Sequence, residues 1–276
     1  MDFVFRRAYR GKIKAVILDW AGTAVDHGSF APVAAFLRLF EQWGVPITVE
    51  DARTGMGLMK KDHLRAILAR QRVAEAWQMA RGCLPSEAEV EAMFAQLVPL
   101  QTALLAEHAE PIPGLLEVVQ DLRQRGVKIG STTGYLSGMM TVLATEAARR
   151  GYTPDCIVCP DQVPAGRPCP WMCYQNAIQL GVYPNEAIVK VGDTPADVEE
   201  GLNAGMWCVG VALTGSLVGL REHEVNALAP ERRDALRRCA AEQLYRAGAH
   251  EIIDGIWELP EALTRIERRL AQGEKP

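Results

Sequence analysis

The sequence predicts an α/β fold: a parallel sheet flanked by helices and interrupted, just after its first strand, by an all-helical insertion. Three observations predict it. The run Lys14-Ala-Val-Ile-Leu-Asp-Trp-Ala-Gly-Thr23 is apolar until it stops at a carboxylate followed by small residues, the pattern of a parallel strand buried on both faces. A long stretch with helical spacing and no clear strand comes next. From Gly126 onward, short apolar strands alternate with helices at the spacing of βαβ units, whose right-handed crossovers build a parallel sheet.

Taken in order, the first strand delivers Asp19 to its C-terminal end, where open α/β sheets bind ligands among loops and helix N-termini. The plainer reading of Asp19 is a cap on the following turn. Helical spacing appears in Val33, Phe36, Leu37 and Phe40, and again in Val90, Met93, Phe94, Leu97, Leu104 and Leu105. Between them, Gly55-Met-Gly-Leu-Met-Lys-Lys-Asp-His-Leu-Arg65 is expected to begin a helix that carries Met56, Lys60 and His63 on one face, at i, i+4 and i+7. Lys61 shares the opposite side with Arg65 and is expected in solvent. If the Met56 face closes over Asp19, Lys60 loses water against apolar neighbours and its amine becomes available to a carbonyl. A salt-bridged surface lysine is the plainer alternative.

After Pro111-Ile-Pro-Gly114 and an amphipathic helix comes the strand Gly126–Gly134. Then follow a helix, the strand Asp155–Cys159, a helix from about Trp171, the strand Ala187–Gly192, a helix and the strand Trp207–Val211. Glu231–Ala247 and Glu261–Leu270 read as helices, and His250–Asp254 as a late edge strand. The division this implies is a catalytic core over 1–24 and 106–276, with a helical cap over 25–105.

A chain of 276 residues, 49% hydrophobic and 23% charged, can bury a sizeable core. Its formal net charge of −4 gives no electrostatic footprint for nucleic acid or an anionic membrane, so a small molecule is the expected partner. Arg6, Arg7, Arg10, Lys12 and Lys14 make the start basic, but no apolar segment of signal-peptide length follows, and no apolar span is fit to cross a bilayer. A cytoplasmic protein is expected. Seven cysteines suit reduced thiols better than a disulfide framework. Cys156 and Cys159 face opposite ways along a strand, and Cys169 and Cys173 read as small core residues.

At the expected strand ends stand Asp19, Ser131-Thr-Thr-Gly134, Pro160-Asp161 leading to Arg167, and Asp193 with Asp197. Carboxylates gathered this way repel unless a divalent cation lies between them, and Mg²⁺ is the hard, oxygen-liking choice beside a phosphate substrate. The hydroxyl and N–H groups at Thr133-Gly134, opening a helix, suit phosphate oxygens, and Arg167 would neutralise the charge left over. Singly, each has a plainer reading: Thr132 and Thr133 as helix caps, Arg167 as a surface residue, Asp193 before Thr194-Pro195 as an N-cap.

Together, Asp19-Trp-Ala-Gly-Thr23, Ser131-Thr-Thr-Gly134, Arg167 and Gly192-Asp-Thr-Pro-Ala-Asp197 resemble the four loops of the haloacid dehalogenase superfamily. The resemblance implies a Rossmann-like core with an inserted helical cap. It makes Asp19 the nucleophile that forms an aspartyl-phosphate, with Mg²⁺ held by Asp19, Asp193 and a backbone carbonyl; Asp197 would hold metal-bound water or steady the loop. Phosphatases of the superfamily carry a second carboxylate where this chain has Ala21. An ordinary phosphate ester would then lack its general acid, although Ala21 still offers its backbone oxygen to the metal.

Ala21 with Met56-Gly-Leu-Met-Lys-Lys-Asp-His63 resembles the phosphonatase branch, the phosphonoacetaldehyde hydrolases. That likeness implies a Schiff base between Lys60 and the aldehyde of a small phosphonate, with His63, Tyr135 and Met56 handling protons and the imine, and a homodimer. Cysteine occurs in the family at the position of Ser29, so a thiol there is not general. A magnesium phosphatase or phosphomutase, a metal-free dehalogenase, and a silent phosphate-binding protein on the same scaffold are the alternatives. Ala21, the Asp193/Asp197 pair, and Asp19 with Lys60 argue against them in turn.

Overall fold

The structure is a computed structural model that describes residues 8–276; Arg6 and Arg7 of the basic start lie outside the described residues. The chain runs β1 (Ala15–Leu18), α1 (Phe30–Gln42), α2 (Val49–Ala52), α3 (Lys60–Leu68), α4 (Gln71–Arg81), α5 (Glu87–Leu105) and α6 (Leu115–Gln124). It continues through β2 (Lys128–Thr132), α7 (Ser137–Arg149), β3 (Cys156–Val158), α8 (Trp171–Leu180), β4 (Ile188–Gly192) and α9 (Pro195–Asn203). Last come β5 (Trp207–Val211), α10 (Glu222–Asn226), α11 (Pro230–Arg246), β6 (Glu251–Ile253) and α12 (Leu259–Ala271).

The strands form one parallel sheet in the order β3-β2-β1-β4-β5-β6, with the late strand β6 at an edge as expected. β1 lies at its middle and is covered on both sides. Val16 and Leu18 face the apolar layer of α6, α7 and α12, while Ala15 and Ile17 face that of α8. Each of these four side chains is fully buried. Burying one such as Leu18 is worth about 1.5–3 kcal/mol, so the continuous apolar run pins β1 from both faces.

Register then decides where chemistry collects. Leu18 lies opposite Ser131 on β2 and Val191 on β4, so the next residues of all three strands emerge together. The winding of the sheet reverses between β1 and β4, and the crevice at such a switch point is where ligands bind.

The helices α1 to α5 enclose a second apolar cluster, centred on Phe36, Phe40, Leu64, Trp77 and Met93. Ser86 and Glu89 start α5 with a reciprocal capping box, Ser86 accepting from the Glu89 N–H and Glu89 from the Ser86 N–H. The two chain crossings between this cluster and the sheet are tied to each other. Asp26, in the left-handed region at φ 55°, accepts from the Ala31 N–H at 2.9 Å and pairs with His108 Nδ1 at 2.9 Å.

The helix expected to begin at Gly55 begins instead at Lys60. Gly55 and Gly57 both take left-handed backbone, φ +83° and +88°, which ends helical continuity and makes Gly55–Leu58 a turning loop. Met56 is therefore not on a helical face with Lys60 and His63. Behind Lys60 the expected face holds: Lys60, His63, Leu64 and Ile67 are buried. Lys61 pairs with Glu91 and Arg65 with Glu87 and Asp62 toward the outside. All seven cysteines are free thiols. Among the described residues, no helix is long and apolar enough to cross a membrane.

Candidate active site

The sheet's C-terminal edge and the Gly55–Leu58 loop face each other across a cavity of only ≈ 20 Å³. Asp19, Ala21, Thr133, Gly134, Tyr135, Arg167 and Asp193 line it from the sheet side, and Met56 and Lys60 from the other. The close approach depends on glycine. A Cβ on Gly57 would stand 2.3 Å from Thr194 Oγ1, and one on Gly134 would stand 2.5 Å from the carbonyl oxygen of Leu58.

Asp19 leaves β1 with its N–H donating to the Val191 carbonyl, one more rung of the ladder, and its carboxylate is buried. Arg167 Nη2 donates to Asp19 Oδ1 at 2.7 Å. Burial first, then Asp197, pushes Asp19 above the ordinary carboxylate range, while Arg167 and Lys190 pull it back. Asp193 is pushed up to about 7 by burial, Asp19 and Asp197, even though the Ser216 N–H donates to its Oδ2 at 2.7 Å. Oxygens of Asp19, Asp193 and Asp197 all lie within 4.8 Å of one another, so this cluster could hold a metal ion.

Asp197 is the least free of the three. Its Oδ1 receives Lys190 Nζ at 2.5 Å and Arg167 Nη2 at 2.9 Å, and its Oδ2 receives Thr194 Oγ1 at 2.6 Å. Burial would raise its pKa, but Arg167 and Lys190 more than offset that and hold it below the usual range. Of the two roles implied by the resemblance, this geometry favours steadying the loop: Thr194 and Asp197 form the capping box that starts α9, with Pro195 in its first turn.

Lys60 is 3% exposed, with its ammonium 4.6 Å from the centre of the Tyr135 ring. Burial, with a smaller push from Arg167, lowers its pKa to about 8 although Asp19 opposes the shift. His63 does not line the cavity. It lies one turn beyond Lys60, its ring 4.3 Å from that of Phe36 and its Nε2 donating to the Ala52 carbonyl at 2.8 Å. Burial and then Lys60 lower its pKa to about 3, so it stays neutral. Tyr135 keeps its phenol proton, raised well above the ordinary value by burial and by Asp26, Asp19 and Asp193.

Sequence reasoning named Ser29 only as a position where the family can carry cysteine, and it missed several other partners. Ser29, which also takes left-handed backbone, lines the cavity with Oγ 3.9 Å from Met56 Sδ, as do Pro32, Gly57 and Thr194. Behind Arg167 sit Thr132, Lys190 and Glu200, all buried. A lysine in the middle of the apolar strand Ile188-Val-Lys-Val-Gly192 was a signal for Lys190, because a charge buried from both faces needs partners. Only its spacing separates Glu200 from its neighbour Glu199 in the sequence: Glu200 lies three residues after Asp197, on the same helix face.

Comparison with known proteins follows the same lines. The haloacid dehalogenase-like hydrolase family matches residues 13–205. A phosphonoacetaldehyde hydrolase of Nitratidesulfovibrio vulgaris is 48% identical over 274 residues, 99% of this chain and 98% of the relative. One from Bacillus cereus is 48% identical over 262 residues, 94% of this chain and 98% of the relative. The crystal structure of a phosphonoacetaldehyde hydrolase-like protein from Oleispira antarctica superposes with a TM-score of 0.97 at 40% identity, covering 100% of both chains. A likeness that runs the length of both chains makes this protein an enzyme of the phosphonoacetaldehyde hydrolase family, within the haloacid dehalogenase-like hydrolases.

Proposed function

We propose that the protein hydrolyses the carbon–phosphorus bond of phosphonoacetaldehyde, giving acetaldehyde and phosphate, through a Schiff base on Lys60 and an aspartyl-phosphate on Asp19. The observation that carries this reading is a buried lysine of lowered pKa facing a buried aspartate across one small cavity. An enzyme that only attacked phosphorus could use a lysine as a positive charge but would gain nothing from a pKa lowered toward the free amine.

The chemistry explains the pairing. Breaking a carbon–phosphorus bond leaves an electron pair on carbon, a poor leaving group without an electron sink. The Lys60 amine adds to the aldehyde and expels water, and the protonated imine is that sink. Asp19 then attacks phosphorus, the carbon–phosphorus pair moves into an enamine on Lys60, and the phosphoryl group passes to the aspartate. Protonation of the enamine and hydrolysis of the imine take up one water, balancing the one expelled in imine formation, and release acetaldehyde. A second water cleaves the aspartyl-phosphate, so the net reaction consumes one water.

Arg167 and the Thr133-Gly134 turn would hold the phosphoryl oxygens in this scheme. Tyr135, with its proton firmly held, offers its ring to the cationic imine rather than an acid. His63, neutral and set back from the cavity, supports the wall beside Lys60. Met56 and Ser29 close the cavity over the aldehyde end.

The residues also fit the Mg²⁺ that the family resemblance implies. Asp19, Asp193, Asp197 and Glu200 outnumber the buried cations around them, Arg167, Lys190 and Lys60, by one charge when all four acids ionise and Lys60 is protonated, and by two when Lys60 is the free amine. Asp19, Asp193 and the backbone oxygen of Ala21 would hold the ion. When bound, Mg²⁺ supplies charge neutralisation and polarises the phosphoryl oxygens. The same reading takes the enzyme as a cytoplasmic homodimer that acts on a small phosphonate.

Borohydride trapping with phosphonoacetaldehyde, followed by peptide mass mapping, tests the reading. A reduced adduct on Lys60, absent from Lys60→Arg, is expected, because arginine keeps the charge but forms no imine. No adduct, with phosphate still released from ordinary monoesters, would replace this reading with a phosphatase.

A further inference from the structure

We infer that Glu200 is a positioning residue for Arg167, with Thr132 as the bridge between them. Arg167 lies on the loop between β3 and α8, a segment without a ladder of its own to fix it. Its guanidinium is instead fixed nitrogen by nitrogen. Nε donates to Glu200 Oε2 at 3.0 Å, Nη2 faces Asp19 Oδ1 at 2.7 Å, Thr132 Oγ1 at 2.9 Å and Asp197 Oδ1 at 2.9 Å, and Nη1 donates to the Gly57 carbonyl at 3.3 Å. The bond at Nε sets the plane and roll of the fork, since Nε is where the side chain joins the guanidinium.

Thr132 completes the arrangement. A hydroxyl has one proton to give, and that of Thr132 goes to Glu200 Oε2 at 2.9 Å, which leaves its lone pairs turned to Arg167 Nη2. Glu200 therefore holds the fork directly at one nitrogen and through Thr132 at another. It reaches this place because α9 carries it three residues beyond Asp197, on the same face of the helix.

Two observations separate this role from general charge balance. Lys190 sits 2.5 Å from Asp197 but 3.7 Å from Glu200, so the nearest cation to Glu200 is Arg167. Oε1 of Glu200 is fully buried without a hydrogen-bond partner, while Oε2 takes both Arg167 and Thr132. Leaving an acceptor empty in the interior is destabilising, and the fold tolerates it where one oxygen must be aimed.

The inference rests on the proposed role of Arg167 at the phosphoryl group, and its test avoids the phosphonate reaction. The binding of inorganic phosphate in the presence of Mg²⁺ is measured by calorimetry for the wild type, Glu200→Gln, Thr132→Val and Thr132→Ser. Phosphate affinity is expected to fall about tenfold in Glu200→Gln and in Thr132→Val, the scale of a disturbed charge-assisted hydrogen bond, and to recover in Thr132→Ser. Borohydride trapping of acetaldehyde on Lys60, which needs no phosphoryl site, is expected at the wild-type rate in Glu200→Gln. Thr132→Val, nearly isosteric, decides alone if Glu200→Gln fails to give the native circular dichroism spectrum.

Phosphate affinity within about twofold of wild type in the folded variants would overturn the inference. So would a parallel loss of phosphate binding and aldehyde trapping, the mark of a merely structural residue. A wild-type enzyme that binds phosphate but leaves phosphonoacetaldehyde intact would instead overturn the proposed function, and the Glu200 result would stand.

Discussion

An ordinary lysine holds its proton to about pH 10.4 and at neutral pH is almost wholly ammonium, a form with no lone pair for a carbonyl. At a pKa of about 8, Lys60 presents an appreciable fraction of free amine near neutrality. The sign follows from that form: trapping slows as pH falls below about 8, where the ammonium dominates, and levels off above it. We expect the rate of borohydride-trapped adduct formation to show this single ascending limb; a flat profile from pH 6 to 9 would contradict it. Replacing Asp19 with Asn should remove the nucleophile but not the amine. Phosphate release is expected to drop by about 10³-fold or more while the Lys60 adduct still forms.

Which residues were legible in advance has a physical pattern. Asp19, Asp193 and Arg167 could be read because strand ends and loops meet at a parallel sheet's C-terminal edge whatever their separation in sequence. Lys60 could be read because a recognisable segment surrounds it. Glu200 could be read only through Asp197, whose helix face it shares at a spacing of three; its depth is a tertiary property, and the structure buries Glu200 and leaves Glu199 exposed.

Among the elements, the strands were the most legible and the start of α3 the least. Apolar runs such as Ala15–Leu18 can satisfy their backbone and bury both faces only inside the sheet. The Gly55–Leu58 loop shows the opposite case: helical spacing extends through Met56 on paper, but left-handed glycines redirect the chain so that its backbone can approach Thr194 and Arg167. Gly57→Ala places a methyl against Thr194 and forces a residue with a side chain into positive φ. We expect kcat/KM to fall by about 100-fold, the scale of an ångström-sized misplacement at a reacting centre, with the chain still folded by circular dichroism. Leu18→Ala acts on stability instead and should cost about 2–5 kcal/mol in urea denaturation, since the central strand has little room to collapse around the cavity.

For the molecule as a whole, the helical layer α1 to α5 and the sheet are bridged by polar contacts onto backbone. Arg53, between α2 and the Gly55–Leu58 loop, donates to the carbonyls of Gly28, Ser216 and Gly219 at 2.9, 3.0 and 3.1 Å and so straps the helical layer to the loop after β5. A cavity of ≈ 20 Å³ has room for about one water molecule, so we expect this layer to shift when substrate enters. Arg53→Ala is expected to raise KM several-fold with a smaller effect on trapping at saturating aldehyde, and steady-state kinetics would show it. Equal losses in both would count against a closing role.

The hydrogen bond from Arg167 to the Gly57 carbonyl has a thermodynamic corollary. One guanidinium touches both the anion-facing side of the sheet and the loop above it, so ligation and shutting draw on the same free energy. By reciprocity, whatever factor closure adds to phosphate affinity, phosphate must add to the closed population. Amide exchange at Gly55–Lys60 should therefore slow when inorganic phosphate is added, in a protein that performs no reaction at all.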